Sequence, residues 1–108
     1  MIGKIVRVTV DRPLGSCHPN HKEMRYPVNY GYIGGIIAGD GEEQDAYVLG
    51  VDQALDSFEG VVIAVIHRKN DVEDKWVVAP HGMTFTPKQI LAAVNFQEQF
   101  YDVEIIMQ

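Results

Sequence analysis

Val6, Val8 and Val10 alternate with Arg7 and Thr9, a period of two that marks a strand with one buried face, here over residues 2–10. Two continuous apolar runs, residues 46–51 and 61–66, predict fully buried strands. Residues 75–79 predict another, and a strand returns around 31–37. Between them, residues 39–43 read as a turn, 52–60 as a polar connection and 69–74 as a charged turn. Residues 11–32 are rich in Pro, Gly, Asn and His, so they predict mostly loop. Loops longer than about 12–15 residues in compact domains tend to be functional or disordered. This one carries aromatic and charged residues and reads as ordered and working.

The pattern changes in the last third. Thr86 suits an N-cap, Pro87 the first helical position, and Gln89 completes a capping box. Ile90, Leu91, Val94 and Tyr101 follow at roughly helical spacing, which predicts one helix over about 87–100. A last strand is expected at 103–107. Short strands followed by a single helix predict a mainly β, α+β fold: an OB-like small β-barrel with a C-terminal helix packed on it, one domain over residues 1–108.

Composition narrows the class. The 108 residues are 46% hydrophobic and 22% charged, which is ordinary globular composition. One cysteine excludes an internal disulfide and fits a reducing compartment. With neither a basic–apolar leader nor an apolar run near the ~20 residues of a membrane span, a cytoplasmic protein is expected. The net charge of −6 argues against nucleic acid as a partner.

The stretch GDGEEQDAYVLG, residues 39–50, crowds four acids against an apolar strand. Like charges at close range cost energy unless something neutralises them. Either the turn is simply solvated, or it holds a cation. Asp40, Glu42 and Asp45 have the i, i+2, i+5 spacing with which a turn can offer oxygens to a hard ion such as Mg²⁺, with Mn²⁺ as a possible substitute. A second acidic set, Asp71, Glu73 and Asp74, adjoins Lys75 between two predicted strands. Arg12, Lys22, Arg25, Arg68 and Lys75 supply positive charge. Carboxylates for a metal, with basic groups for the remaining oxygens, suit phosphoryl chemistry.

The 11–25 segment offers three readings. Arg12 can bind phosphate bidentately and His18 can donate or accept near neutral pH, which makes a substrate-facing loop. It can equally be a structured turn with Arg12 paired to an acid. Cys17, His18 and His21 lack a fourth ligand at the usual zinc spacing.

The segment YPVNYGYIGGIIAGDGEEQDAYVLG, residues 26–50, resembles the core motif of soluble inorganic pyrophosphatases, roughly Y-P-x-N-Y-G-Y-I, a short stretch, then D-G-D-P-x-D and an apolar strand. FEGVVIAVIHR, residues 58–68, and EDKWVVAP, residues 73–80, are similar to that family's next strand and its acidic-lysine-strand-proline segment. The resemblance covers about residues 26–80. It implies an OB-like barrel and Mg²⁺-dependent hydrolysis of pyrophosphate to phosphate. Carried over, Asp40, Asp45 and Asp74 are metal ligands, with Asp71 a further candidate. Glu42 takes the place of the aspartate that activates the attacking water. Tyr30 donates to a phosphate oxygen or water, Lys75 binds phosphate, and Asn29 supports the turn. Arg12, His18 and Arg25 are the remaining candidates for the substrate.

Two departures stand out. Glu42 is one methylene longer than aspartate, and the family's C-terminal tyrosine-lysine pair has no evident counterpart. They keep a second expectation open: a non-catalytic or altered-specificity phosphate- or nucleotide-binding module on the same fold. Phe96, Phe100 and Tyr101 are expected to support a homo-oligomer.

Overall fold

One long strand closes the sheet. In the computed structural model, which describes residues 1–71 and 73–108, β1 (Ile5–Arg12) pairs antiparallel with β4 (Asn29–Ile37), and β4 with β5 (Glu43–Val48). β2 (Cys17–His18) and β3 (His21–Arg25) form a separate hairpin. β5 runs parallel to β7 (Asp74–Ala79), which pairs antiparallel with β6 (Ser57–Arg68). The first part of β6 returns to β1 through Ile5↔Val61 to Thr9↔Ser57, completing a five-stranded barrel. Its last part pairs with β8 (Val103–Ile106). The fold is therefore mostly β: a closed, OB-like barrel with one helix, α1 (Pro87–Glu98).

Alternation along the strands creates two cores. Val8, Ala46, Val48, Val62, Trp76 and Val78 fill the barrel. Tyr47, Leu49, Ala64, Ile66 and Val77 face the other way and are covered by Ile90 and Val94 of α1. β5, β6 and β7 are thus buried on both faces, which is why they read as continuous apolar runs. The capping box forms as expected: Gln89 N–H donates to Thr86 Oγ1 at 3.1 Å, and Thr86 N–H to Gln89 Oε1 at 2.9 Å.

Three expectations need correction. Residues 11–32 hold the β2–β3 hairpin and the start of β4. That hairpin was hidden because His21, Lys22, Glu23 and Arg25 are all exposed, so no apolar alternation exists to read. β6 begins at Ser57 within the expected polar connection, because its first residues pair with β1. The helix stops at Glu98, so Tyr101 lies beyond it.

β4 lies unusually close to β1. A Cβ at Gly31 would meet the Thr9 carbonyl oxygen at 1.8 Å, so only glycine fits between Tyr30 and Tyr32. Asn29 is fully buried. Its Oδ1 accepts from Leu14 N–H and Leu55 N–H, each at 3.0 Å, and its amide donates to the Gln53 carbonyl at 2.9 Å. It ties down two loops at the start of β4 and makes no hydrogen bond to the acidic turn.

Candidate active site

The helix-covered face of the barrel continues past α1 as an open cleft of about 430 Å³. Strand parity decides which side chains reach it. Lys75 shares a face with Val77, Asp45 with Tyr47, and Arg68 with Ile66. All three line the cleft, together with Arg12, Tyr30, Asp40, Glu42 and Glu73.

Lys75 forms its centre. The residue is only 4% exposed. Its Nζ donates to Asp45 Oδ2 at 2.6 Å and also to Glu73 Oε1. The ammonium lies 5.7 Å from the Tyr30 ring centroid, within reach of a cation–π attraction. Burial pushes the Glu73 carboxyl above its ordinary range, as does its hydrogen bond with Asp45, while Lys75 opposes both. Burial also acts to raise Asp45, but bonds with Glu73, Lys75 and Tyr30 outweigh it and hold Asp45 low. Tyr30 is pushed far up by burial and then by Asp45, so its phenol keeps its proton and remains a donor.

Behind this centre a hydrogen-bonded chain runs between the two arginines. Arg12 Nη1 donates to Tyr26 Oη at 2.8 Å, Tyr26 to Gln97 Oε1 at 2.9 Å, and Gln97 Nε2 to Tyr47 Oη at 2.7 Å. Tyr47 then donates to Glu98 Oε2 at 2.5 Å. Glu98 accepts two bonds from Arg68, at 2.9 and 2.7 Å, with both side chains almost wholly buried. Burial alone would lower the Arg68 pKa, but Glu98 outweighs it and holds the guanidinium charged. The Tyr101 ring covers that guanidinium at 3.7 Å.

Not all expected residues meet here. Asp40 and Glu42 lie at the exposed rim, where Asp40 Oδ1 accepts from Glu42 N–H at 3.0 Å and shapes the turn. Asp74 does not line the cleft. It follows the parity of Trp76 and Val78, and its Oδ1 lies 2.8 Å from His67 Nδ1. The expected meeting of Asp40, Asp45 and Asp74 around one ion is therefore not the arrangement found. Glu73, two residues before Lys75, occupies the cleft instead. Asp71 stays outside the lining, with Oδ2 3.9 Å from Arg68 Nη1. Arg25 turns to the Gly15 carbonyl at 3.0 Å, and His18 stacks beside Tyr26 in the neighbouring hairpin, so neither lines the cleft. Phe96, expected at a subunit contact, packs edge-on to Tyr26 and Tyr47. The sequence reading named Glu73 only within the second acidic set and did not single out Gln97 or Glu98 as cleft or supporting residues.

The cleft chemistry suits a cation. Five carboxylates, Asp11, Asp40, Glu42, Asp45 and Glu73, face Arg12, Arg68 and Lys75. Arg68 is already neutralised by Glu98. An anion therefore meets excess negative charge unless cations accompany it. Among the described residues no three His, Cys, Asp or Glu side chains lie close enough together to hold a metal ion unaided. Mg²⁺ commonly keeps several waters and binds through one or two carboxylates plus substrate phosphates. An open lining rich in carboxylate oxygens is the kind of donor set such an ion takes.

No protein-family model matches the sequence. The search of curated proteins likewise finds no match. Solved structures do match. The inorganic pyrophosphatase from Neisseria gonorrhoeae superposes with a TM-score of 0.67 at 22% identity, over 87% of this chain and 72% of that one. The inorganic pyrophosphatase from Ehrlichia chaffeensis gives 0.68 at 20% identity, over 96% and 85%. That from Helicobacter pylori gives 0.68 at 15% identity, over 96% and 83%. At these identities the likeness establishes a pyrophosphatase-like fold. Among the described residues no helix is long and apolar enough to cross a membrane.

Proposed function

We propose that the cleft binds a diphosphate together with Mg²⁺ and hydrolyses its phosphoanhydride bond, with pyrophosphate as the expected substrate. The observation that carries this reading is the placing of Asp40, Glu42, Asp45, Tyr30, Arg12 and Lys75 on one open cleft. When bound, Mg²⁺ would neutralise phosphate oxygens and lower the pKa of a coordinated water. Asp40 and Asp45 would hold it, and Mn²⁺ would serve in its place. Lys75 and Arg12 bind and orient phosphate oxygens, leaving Asp45 and Glu73 to face the cation. Tyr30, kept protonated by burial, donates to a phosphate oxygen or to water. Glu42, on the exposed rim, accepts the proton of the attacking water. A cytoplasmic location and self-association belong to this reading as well.

The test is phosphate release from pyrophosphate with and without Mg²⁺. Release that requires the metal and falls by about 10²-fold or more in Asp45→Asn is expected. No release from any phosphoanhydride removes the hydrolase. One observation favours a second reading, a binding module without turnover: Lys75 already bridges Asp45 and Glu73, the place a tightly held cation would take. Calorimetric diphosphate binding that needs Mg²⁺ but yields no phosphate would select it.

A further inference from the structure

A second cavity of about 380 Å³ lies beside the polar cleft, between the β2–β3 hairpin and the residues after α1. Gln97 and Tyr101 line both, so the two spaces adjoin. Their chemistry differs sharply. The second is walled by His18, His21, Met24 and Phe100, with Glu23 as its one acid. Phe100 is 68% exposed, a large apolar ring on the wall of this cavity. Two of the other rings are held by neighbours. His18 lies parallel to Tyr26, with centroids 6.3 Å apart and planes 8° apart. The Tyr101 ring is held on one face by Arg68. Burial, Arg12 and His21 lower the His18 pKa, which favours a neutral imidazole suited to stacking.

A bare diphosphate has nothing to place against these rings. A diphosphate carrying a planar heterocycle does, because base–aromatic stacking is favourable for any base. We infer that the second cavity receives the base of a nucleoside diphosphate or triphosphate whose phosphates lie in the polar cleft. The inference rests on the diphosphate reading above and names its substrate class. The cavity volume is within the range of small-ligand sites, and the cavity adjoins the cleft along Gln97 and Tyr101, so a base and its phosphates can lie in neighbouring spaces.

Calorimetry with two non-hydrolysable probes separates the claims: methylenediphosphonate, and adenosine 5′-(α,β-methylene)diphosphate, both with excess Mg²⁺. The nucleotide is expected to bind about tenfold tighter or more. Phe100→Ala and His21→Ala, both at exposed positions, should bring the nucleotide down to the diphosphonate affinity. Diphosphonate binding itself should stay unchanged. Equal affinities in the native protein, or a nucleotide preference that survives both substitutions, overturns the inference and leaves the diphosphate reading standing. So does a Phe100→Ala variant that changes only the sedimentation mass, because the cavity is then covered by a second copy of the chain. Failure of both probes to bind overturns the inference and the diphosphate reading together.

Discussion

Replacing Glu98 by alanine removes the acceptor of three hydrogen bonds: two from Arg68 and one from Tyr47. The glutamate side chain is 0% exposed and that of Arg68 is 5% exposed, so the guanidinium is left charged and almost wholly enclosed. Breaking one partner of a buried pair typically costs about 3–5 kcal/mol. Arg68 lines the cleft and can turn towards water there, which puts the expected loss near the lower end, about 3 kcal/mol. For a chain of 108 residues, an unfolding entropy of about 2.1 cal/mol/K per residue means about 4.4 °C of melting temperature per kcal/mol. The variant should therefore melt about 13 °C lower, with a matching fall in its urea midpoint. The mechanism makes a sharper demand on the double variant Glu98→Leu with Arg68→Met. It removes both charges and should recover part of the loss. A Glu98→Ala loss below about 1 kcal/mol, or a double variant less stable than Glu98→Ala, refutes the reasoning.

Three further outcomes are expected. Lys75→Met leaves Asp45 and Glu73 facing each other without their ammonium. Asp45, held low, contributes stability above its ordinary 3.8 that is lost as pH falls through its depressed value. Glu73, pushed up, contributes below its ordinary 4.5 and loses that contribution as pH rises through its raised value. Without Lys75 ionisation of the pair becomes repulsive, so in EDTA the melting deficit of the variant should grow from about pH 4 to pH 7. An equal deficit at both pH values rejects the pair's role. Glu42→Asp should raise kcat for phosphate release about tenfold or more, since a misplacement near 1 Å costs about 10²-fold; an unchanged kcat shows that the carboxyl at this position does not hold the water. Thr86→Ala breaks the capping box at the start of α1 and should cost about 1 kcal/mol, or about 4 °C in a thermal melt.

Much of the barrel was legible because its signals are local. The alternation of β1, the apolar runs of β5 to β7 and the Thr86–Gln89 box each act within a few residues. The β2–β3 hairpin was not legible, because its strands bury almost nothing and are held by backbone pairing from Cys17↔Arg25 to His18↔His21. The start of β6 was masked differently: Ser57, Phe58 and Glu59 pair with β1, fifty residues earlier in the chain. The alternation of β1 marks its buried face but not the strand it pairs with, so it says nothing of residues 57–59.

The cleft divides along the same line. Asp40, Glu42, Asp45, Tyr30, Arg12 and Lys75 were named from the sequence, and all six line it. Choosing Asp74 over Glu73 failed at the point where period-two reasoning loses its anchor. A strand with one wet face displays its parity, but Lys75, Trp76, Val77, Val78 and Ala79 are all buried, so hydrophobicity marks both faces of β7 alike. Lys75 itself was the available anchor. If its ammonium belongs to the cleft, the residue two before it shares that side, and that residue is Glu73. Glu98 carried a comparable signal. Ile90, Val94 and Glu98 recur every four residues on one helix face, so an acid was being directed beneath the helix. A buried charged acid needs a pairing partner, and Arg68, following the parity of Ile66 on β6, supplies it here. The charge pattern thus contained both the substitute for Asp74 and the brace behind the cleft, once each charged residue was assigned to a face rather than counted within a turn.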